Sequence, residues 1–270
     1  MDINFLGGYY VNGRLFQISA DLNASKQYYK RLKQVLQIKK VKDASFIRIG
    51  RQNSDGGYLM INDITSCGKI AYSFGICDDV SWDYNMAELG YDIFMYDHTI
   101  EKLPYEIQNF HFFKAGISGT DDKNNPLKTL KYYITKNGHS KEKNMILKMD
   151  VEGAEWDFLE TVDLKTLRKF DQIVFEFHNL IQAGNSKRNI KLLSKLNKTH
   201  QLVHIHGNNC GYVIRIGNSV FPDVFEATYV LKDKYNFEED CDISLPLPLD
   251  IPNDKGRPDI ILGKWNEPFE

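Results

Sequence analysis

Seven short apolar runs recur along the chain from residue 69 onward, and amphipathic stretches fill several of the gaps between them. KIAYSFG (69–75), DIFMYD (92–97), FHFFKAG (110–116), MILKMDV (145–151), QIVFEFH (172–178), QLVHIHG (201–207) and VFEATYVL (224–231) have the length and β-branched or aromatic content of strands. Where the apolar stretch is nearly unbroken, both faces of the strand are expected to be covered, as in a parallel sheet. Between them VSWDYNMAEL (80–89), AEWDFLETV (154–162) and NIKLLSKLNK (189–198) repeat apolar positions at helical spacing. The pattern predicts an α/β fold, a mostly parallel seven-stranded sheet with helices on both faces.

Outside that core the texture changes. After an irregular start, NASKQYYKRLKQVLQIKK (23–40) places Tyr29, Leu32 and Leu36 three and four residues apart among basic residues, the signature of an amphipathic helix. From about Asp233 the chain turns acidic and then proline-rich, which suits an extended tail on the surface. The expected division is a helical cap over 1–45, a main domain over 46–232 and a packed tail over 233–270. A formal charge of -2 with acids and bases interspersed argues against nucleic acid or an anionic membrane as partner and leaves a small molecule. The sequence shows no membrane span and no secretory leader, so a cytoplasmic protein is expected, with oligomerisation left open. Cys67, Cys77, Cys210 and Cys241 form no CxxC pair and are expected as free thiols.

Ligands of open parallel sheets gather beyond the carboxyl ends of the strands, where strand order reverses. The first strand ends in FGICDDVSW, with Gly75 followed by Asp78 and Asp79. A pyrophosphate would need a G-x-G-x-x-G turn there, and two carboxylates would repel it. They suit a ligand with an ammonium group and hydroxyls and no phosphate, such as S-adenosylmethionine. Asp97 ends the second strand 22 positions after Gly75, near the spacing at which an acid accepts from a ribose, and Gly116 with Ile117 forms a small apolar turn for an adenine edge. Taken singly, Asp78 or Asp79 could instead cap the helix beginning near Ser81, and Asp97 could be a turn residue.

YSFGICDDVSWDYNMAELGYDIFMYDHT (72–99) and ILKMDVEGAEWDFLE (146–160), with IRIGRQNSDGGYLMI (47–61) upstream, resemble the FkbM-type, class I methyltransferases that use S-adenosylmethionine. The D-x-E-G-x-E block is the most specific part of a likeness spanning roughly 46 to 232. The resemblance implies the Rossmann-like class I methyltransferase fold, with the last of the seven strands antiparallel. It also implies methyl transfer, usually to oxygen of a sugar or polyketide-like acceptor in polysaccharide or natural-product biosynthesis. Cys77 stands where such enzymes often have a second glycine.

A hydroxyl acceptor must lose its proton to a base or to a metal-lowered pKa. Asp150, at the end of the fourth strand, is expected to face cofactor and acceptor, with Glu152 on its side if the strand persists. Alternation places Glu176 and His178 on one face of the fifth strand, so His178 is the expected base. An alternative route has Asp150, His178 and Asn179 hold a divalent cation, histidine favouring manganese, iron or zinc over magnesium. His206, on the same face of the sixth strand as His204, is a further candidate for acceptor contact. Arg48, Arg51, Asp55 and Tyr58 are expected either to close over the ligand or to flank a hairpin turn. Glu226 lies on a strand whose facing periodicity does not decide. The expected activity is O-methylation of a sugar or sugar-nucleotide; the rivals are an N-methyltransferase on a small amine and a non-catalytic binding module.

Overall fold

The computed structural model describes residues 5–11, 14–19, 22–121, 126–181, 186–216, 219–239 and 242–268, with side chains from residue 26 onward apart from Ser186. In chain order its elements begin with β1 (Phe5–Val11), β2 (Arg14–Ser19), α1 (Leu22–Val35), β3 (Phe46–Gly50) and β4 (Gly57–Ile61). The central part holds β5 (Ile70–Phe74), α2 (Ser81–Glu88), β6 (Asp92–Tyr96), β7 (Phe110–Phe113), α3 (Leu130–Lys136), β8 (Met145–Met149), α4 (Glu155–Thr161) and α5 (Leu164–Leu167). There follow β9 (Phe170–Phe177), α6 (Ser186–Leu196), β10 (His200–Gly207), β11 (Val213–Ile216), β12 (Ser219–Pro222) and β13 (Phe225–Leu231), then two-residue strands β14 (Ser244–Leu245) and β15 (Gly263–Lys264).

All seven expected strands form one sheet, in the order β10-β13-β9-β8-β5-β6-β7. The five from β9 to β7 pair in parallel, and β13 runs antiparallel to both neighbours. This is the expected α/β, Rossmann-like class I methyltransferase topology. Chain order starts at β5 in the middle, moves outward to β6 and β7, then returns to β8 on the other side. The reversal opens a crevice above the carboxyl ends of β5 and β8. Burial explains the unbroken apolar runs: every residue of β8 and β9 is buried, because helices or further strands cover both faces.

Other pairings lie outside the seven expected strands. The start expected to be irregular holds β1 and β2, which join β11 and β12 in a second, four-stranded sheet. The segment before β5 is an antiparallel hairpin of β3 and β4 whose register ends at Gly50 opposite Gly57. That hairpin docks on the main sheet through Gln172 of β9, whose amide bonds both the N–H and the C=O of Ile61 at 2.9 Å. Helix α1 buries Tyr29 and Leu32, with Leu36 just beyond its end, each burial contributing about 1.5–3 kcal/mol. The segment from 242 to 268 is largely irregular yet anchored, with Trp265, Ile260 and Leu245 in the main core. Cys67, Cys77 and Cys210 are free; Cys241 lies outside the described residues.

Candidate active site

A cavity of about 430 Å³ occupies the crevice above β5 and β8. Gly75 makes it possible: the chain leaves β5 at φ +78°, and a Cβ there would land on the Asp150 carbonyl oxygen where β8 ends. Lys148 reaches up from β8 and donates to the Gly75 carbonyl at 2.8 Å, so the two strand ends are tied together. All the residues expected to meet the cofactor line this space: Gly75, Asp78, Asp79, Asp97, Gly116 and Ile117 with Asp150.

Their present partners differ. Asp97 Oδ2 accepts from the N–H groups of Ile76 and Cys77, both at 2.9 Å, while Oδ1 accepts from the N–H and hydroxyl of Thr99 at 2.7 and 2.6 Å. Burial works to raise its pKa, but these bonds, led by Cys77, outweigh it and hold the carboxyl below its usual range. Asp97 therefore pins the loop after β5, with its acceptor positions already filled by the chain. Asp79 accepts from the Ser81 N–H at 2.9 Å and hydroxyl at 3.0 Å, securing the start of α2, and pairs with Arg51 at 3.2 Å. Asp78 is exposed and bonds nothing among the described residues. Tyr133 fixes the Gly116 turn by donating to its carbonyl at 2.7 Å.

Beyond β8 and β9 a second group of side chains borders the cavity. Tyr58, on the β3–β4 hairpin, donates to Asp150 Oδ2 at 3.0 Å, and Asp55 from the same hairpin lines the wall. The hairpin turn expected as one alternative for this segment is present, and it places Arg51, Asp55 and Tyr58 on the cavity wall. Glu152 does not continue the strand: β8 stops at Met149, and Glu152 turns through φ +55° with an exposed side chain at the cavity rim. Glu176 is buried and accepts from Asn208 at 2.5 Å. Desolvation, then Asp150, Asp55 and Glu226, push its pKa well above the usual carboxylate range.

His178 follows β9, with Nδ1 3.3 Å from Glu155 and Nε2 3.4 Å from Glu152 and 3.8 Å from Glu176. Burial lowers its pKa, but the Glu155 bond and the charges of Glu155, Asp150 and Glu152 win and raise it to about 8. Its carbonyl accepts from Trp156 Nε1 at 2.6 Å, which holds the loop in place. Glu155 is the last acid of the D-x-E-G-x-E block, so its signal was in the motif, but its role as partner of His178 appears only in the fold.

Other expectations are not met. His206 is not at the cavity: it is buried, with Nε2 3.1 Å from Asp259 of the tail and Nδ1 3.4 Å from Glu226. His204 is likewise closed off, 3.0 Å from Asp250. Of the residues expected to hold a metal, Asp150 and His178 have donor atoms within 4.8 Å of each other and of Glu176, and the Asn179 amide nitrogen lies 2.9 Å from where a Gly153 Cβ would stand. A second such group joins Asp55, Glu176 and Glu226, because Glu226 of β13 lies directly opposite Glu176 in the sheet register. Asn208 and Asn253, which hold these carboxylates, carried no sequence signal.

The cavity fits S-adenosylmethionine chemically. Its lining is rich in carboxylates, which are compatible with an ammonium and a sulfonium, and the sequence has no glycine-rich phosphate cradle there. No protein of curated function matches the sequence. Among solved structures, a SAM-dependent methyltransferase from Agrobacterium tumefaciens is similar at 6% identity and a TM-score of 0.31, over 85% of this chain and 70% of that one. The methyltransferase FkbM domain profile matches residues 13–214. That match spans well over half of the chain and includes both the loop after β5 and the D-x-E-G-x-E turn, and the protein belongs to the FkbM methyltransferase family.

Proposed function

We propose that this methyltransferase uses S-adenosylmethionine to methylate a hydroxyl group of a sugar or sugar-nucleotide, with His178 as the base that receives the hydroxyl proton. When bound, the cofactor supplies an electrophilic methyl group on a positively charged sulfur. The chain's own work is to align the acceptor and to move one proton. Asp97 and Gly75 shape the loop on the cofactor side. Asp150, fixed by Tyr58, stands between the two halves, and Glu152 and Glu176 link the cavity to the imidazole.

The observation that carries this reading is the setting of His178. Glu155 fixes one ring nitrogen, and the other is turned toward two carboxylates that line the cavity. A group with a pKa of about 8 can take a proton and return it to water near neutral pH. The sugar rests on family membership and on a lining rich in carboxylates, which accept hydrogen bonds from a polyol. One feature favours an amine acceptor as the second reading. The lining includes seven carboxylates, Asp55, Asp78, Asp79, Asp97, Asp150, Glu152 and Glu176, against the cations Arg51 and Lys148. Incubation with labelled cofactor and parallel panels of sugar and amine acceptors separates the two. A methylated sugar that disappears with His178→Ala supports the proposal, and methylation confined to amines overturns it.

A further inference from the structure

The cofactor assignment, on which this inference rests, leaves a charge to be accommodated. The amino-acid end of S-adenosylmethionine is a zwitterion, and its carboxylate must enter a cavity bordered by acids. An anion there without a cationic partner would be repelled and partly desolvated.

The cations that line the cavity are few. Lys148 is buried and committed, since its ammonium donates to the Gly75 carbonyl at 2.8 Å. His98 stands at the far side, with Nδ1 2.8 Å from where a Gly116 Cβ would be. Arg51 remains. Its Nε is 3.2 Å from Asp79, and neither terminal nitrogen has a bond among the described residues, so the forked end of the guanidinium is available.

Its position is set by the hairpin. Arg48 donates from Nε to the Arg51 carbonyl at 2.8 Å and from Nη2 to the Ser54 carbonyl at 3.1 Å, which folds the loop back on itself. Gly56 rests against Asp79 so closely that a Cβ would overlap the carboxylate. Arg51 is thereby held beside Asp79, just before the start of α2, on the cavity wall. Next to Asp79, Asp78 lines the cavity with its carboxylate unengaged among the described residues.

We propose that Arg51 and Asp78 form a clamp for the amino-acid end of the cofactor. The Arg51 fork binds the carboxylate and Asp78 binds the ammonium. The β3–β4 hairpin, which lies before the sheet's first strand in the chain, is then part of the cofactor site and not a peripheral ornament. Asp79 keeps Arg51 in place and neutralised when no cofactor is present.

Calorimetry with two adenosine thioethers tests the clamp without any acceptor: S-adenosylhomocysteine carries the amino-acid end and 5′-methylthioadenosine lacks it. Arg51→Ala is expected to weaken S-adenosylhomocysteine roughly 10- to 100-fold, as for loss of a charge-assisted pair, and to leave methylthioadenosine within about twofold. Arg51→Lys should recover part of the loss, because it restores the charge without the fork. Asp78→Asn should weaken the first ligand alone. If Arg51→Ala weakens both ligands alike, the residue only supports the loop; if it weakens neither, it does not touch the cofactor. Either result overturns the clamp while the cofactor assignment stands. A wild-type protein that binds neither ligand removes both.

Discussion

Strand β9 carries a buried carboxylate near each end, and the two ends are finished in opposite ways. At its start Asp171 accepts from Asn144 at 3.1 Å on both oxygens and pairs with Lys234 at 2.8 Å. Lys234 also pairs with Asp63 at 3.1 Å, and Tyr235 donates to Asp63 at 3.0 Å. Near the other end Glu176 meets Asp55, Asp150 and Glu226, and none of the four is paired with a lysine or arginine among the described residues. Tyr58, Asn208 and Asn253 supply neutral donors instead. Both clusters close the end of a strand, but a lysine neutralises the first, whereas the second meets cationic groups only through imidazoles, His206 at 3.4 Å from Glu226 and His178 at 3.8 Å from Glu176. Acids that border a cavity without a lysine or arginine partner leave acceptor positions for a ligand, whereas acids paired with a lysine serve stability.

The comparison can be broken by mutation. The largest effect is expected from His178→Ala, which should lower turnover about 10²- to 10⁴-fold while S-adenosylhomocysteine affinity stays within about twofold. In the wild type the rate should climb with pH and level off above about 8, as the imidazole loses its proton and becomes able to accept one. A rate independent of pH across that range would remove His178 as base.

At the opposite end, Lys234→Met should cost about 2 kcal/mol in denaturant unfolding, since it strands Asp171 and Asp63 without a counter-ion. Turnover per folded molecule should not change, and a drop in it would show that the two ends are not separable. Asp97→Ala should weaken S-adenosylhomocysteine roughly tenfold by calorimetry, through release of the Ile76 and Cys77 amides rather than loss of a direct ligand contact. The smallest effect belongs to Glu176→Gln, which mimics the protonated acid that burial and the neighbouring carboxylates already favour. Unfolding should show unchanged stability or a gain of up to about 1 kcal/mol, whereas a loss of several would mean that its charge is needed by the fold.

The main sheet was legible because strands covered on both faces must be apolar almost throughout, as β5, β8 and β9 are, so the middle of the sheet announced itself locally. The β3–β4 hairpin was seen only as one alternative, and β1, β2, β11 and β12 were not seen. IRIG and VIRI are short and mixed in polarity, and the pairing of β11 with β2 joins residues far apart in sequence, which no local period records. On the site, strand-end acids and glycines could be placed because a strand's direction fixes where its last residue points. His206 misled for the same reason. Its position on β10 suited a ligand, but the tail delivers Asp259 to it and closes that stretch of the sheet.

What the chain's order of residues determined alone is the succession of strands, the glycine that ends the first one, and the acids that make a phosphate an unsuitable guest. These are properties of neighbours in sequence, governed by backbone geometry and by the charge of adjoining groups. The tertiary structure decided which side chains share a dielectric: Glu155 with His178, Glu176 with Asp55 and Glu226, Asn253 from the tail with Asp55. Proton affinity and ion pairing depend on distance and burial through space, and those exist only once the hairpin, the sheet and the tail have come together.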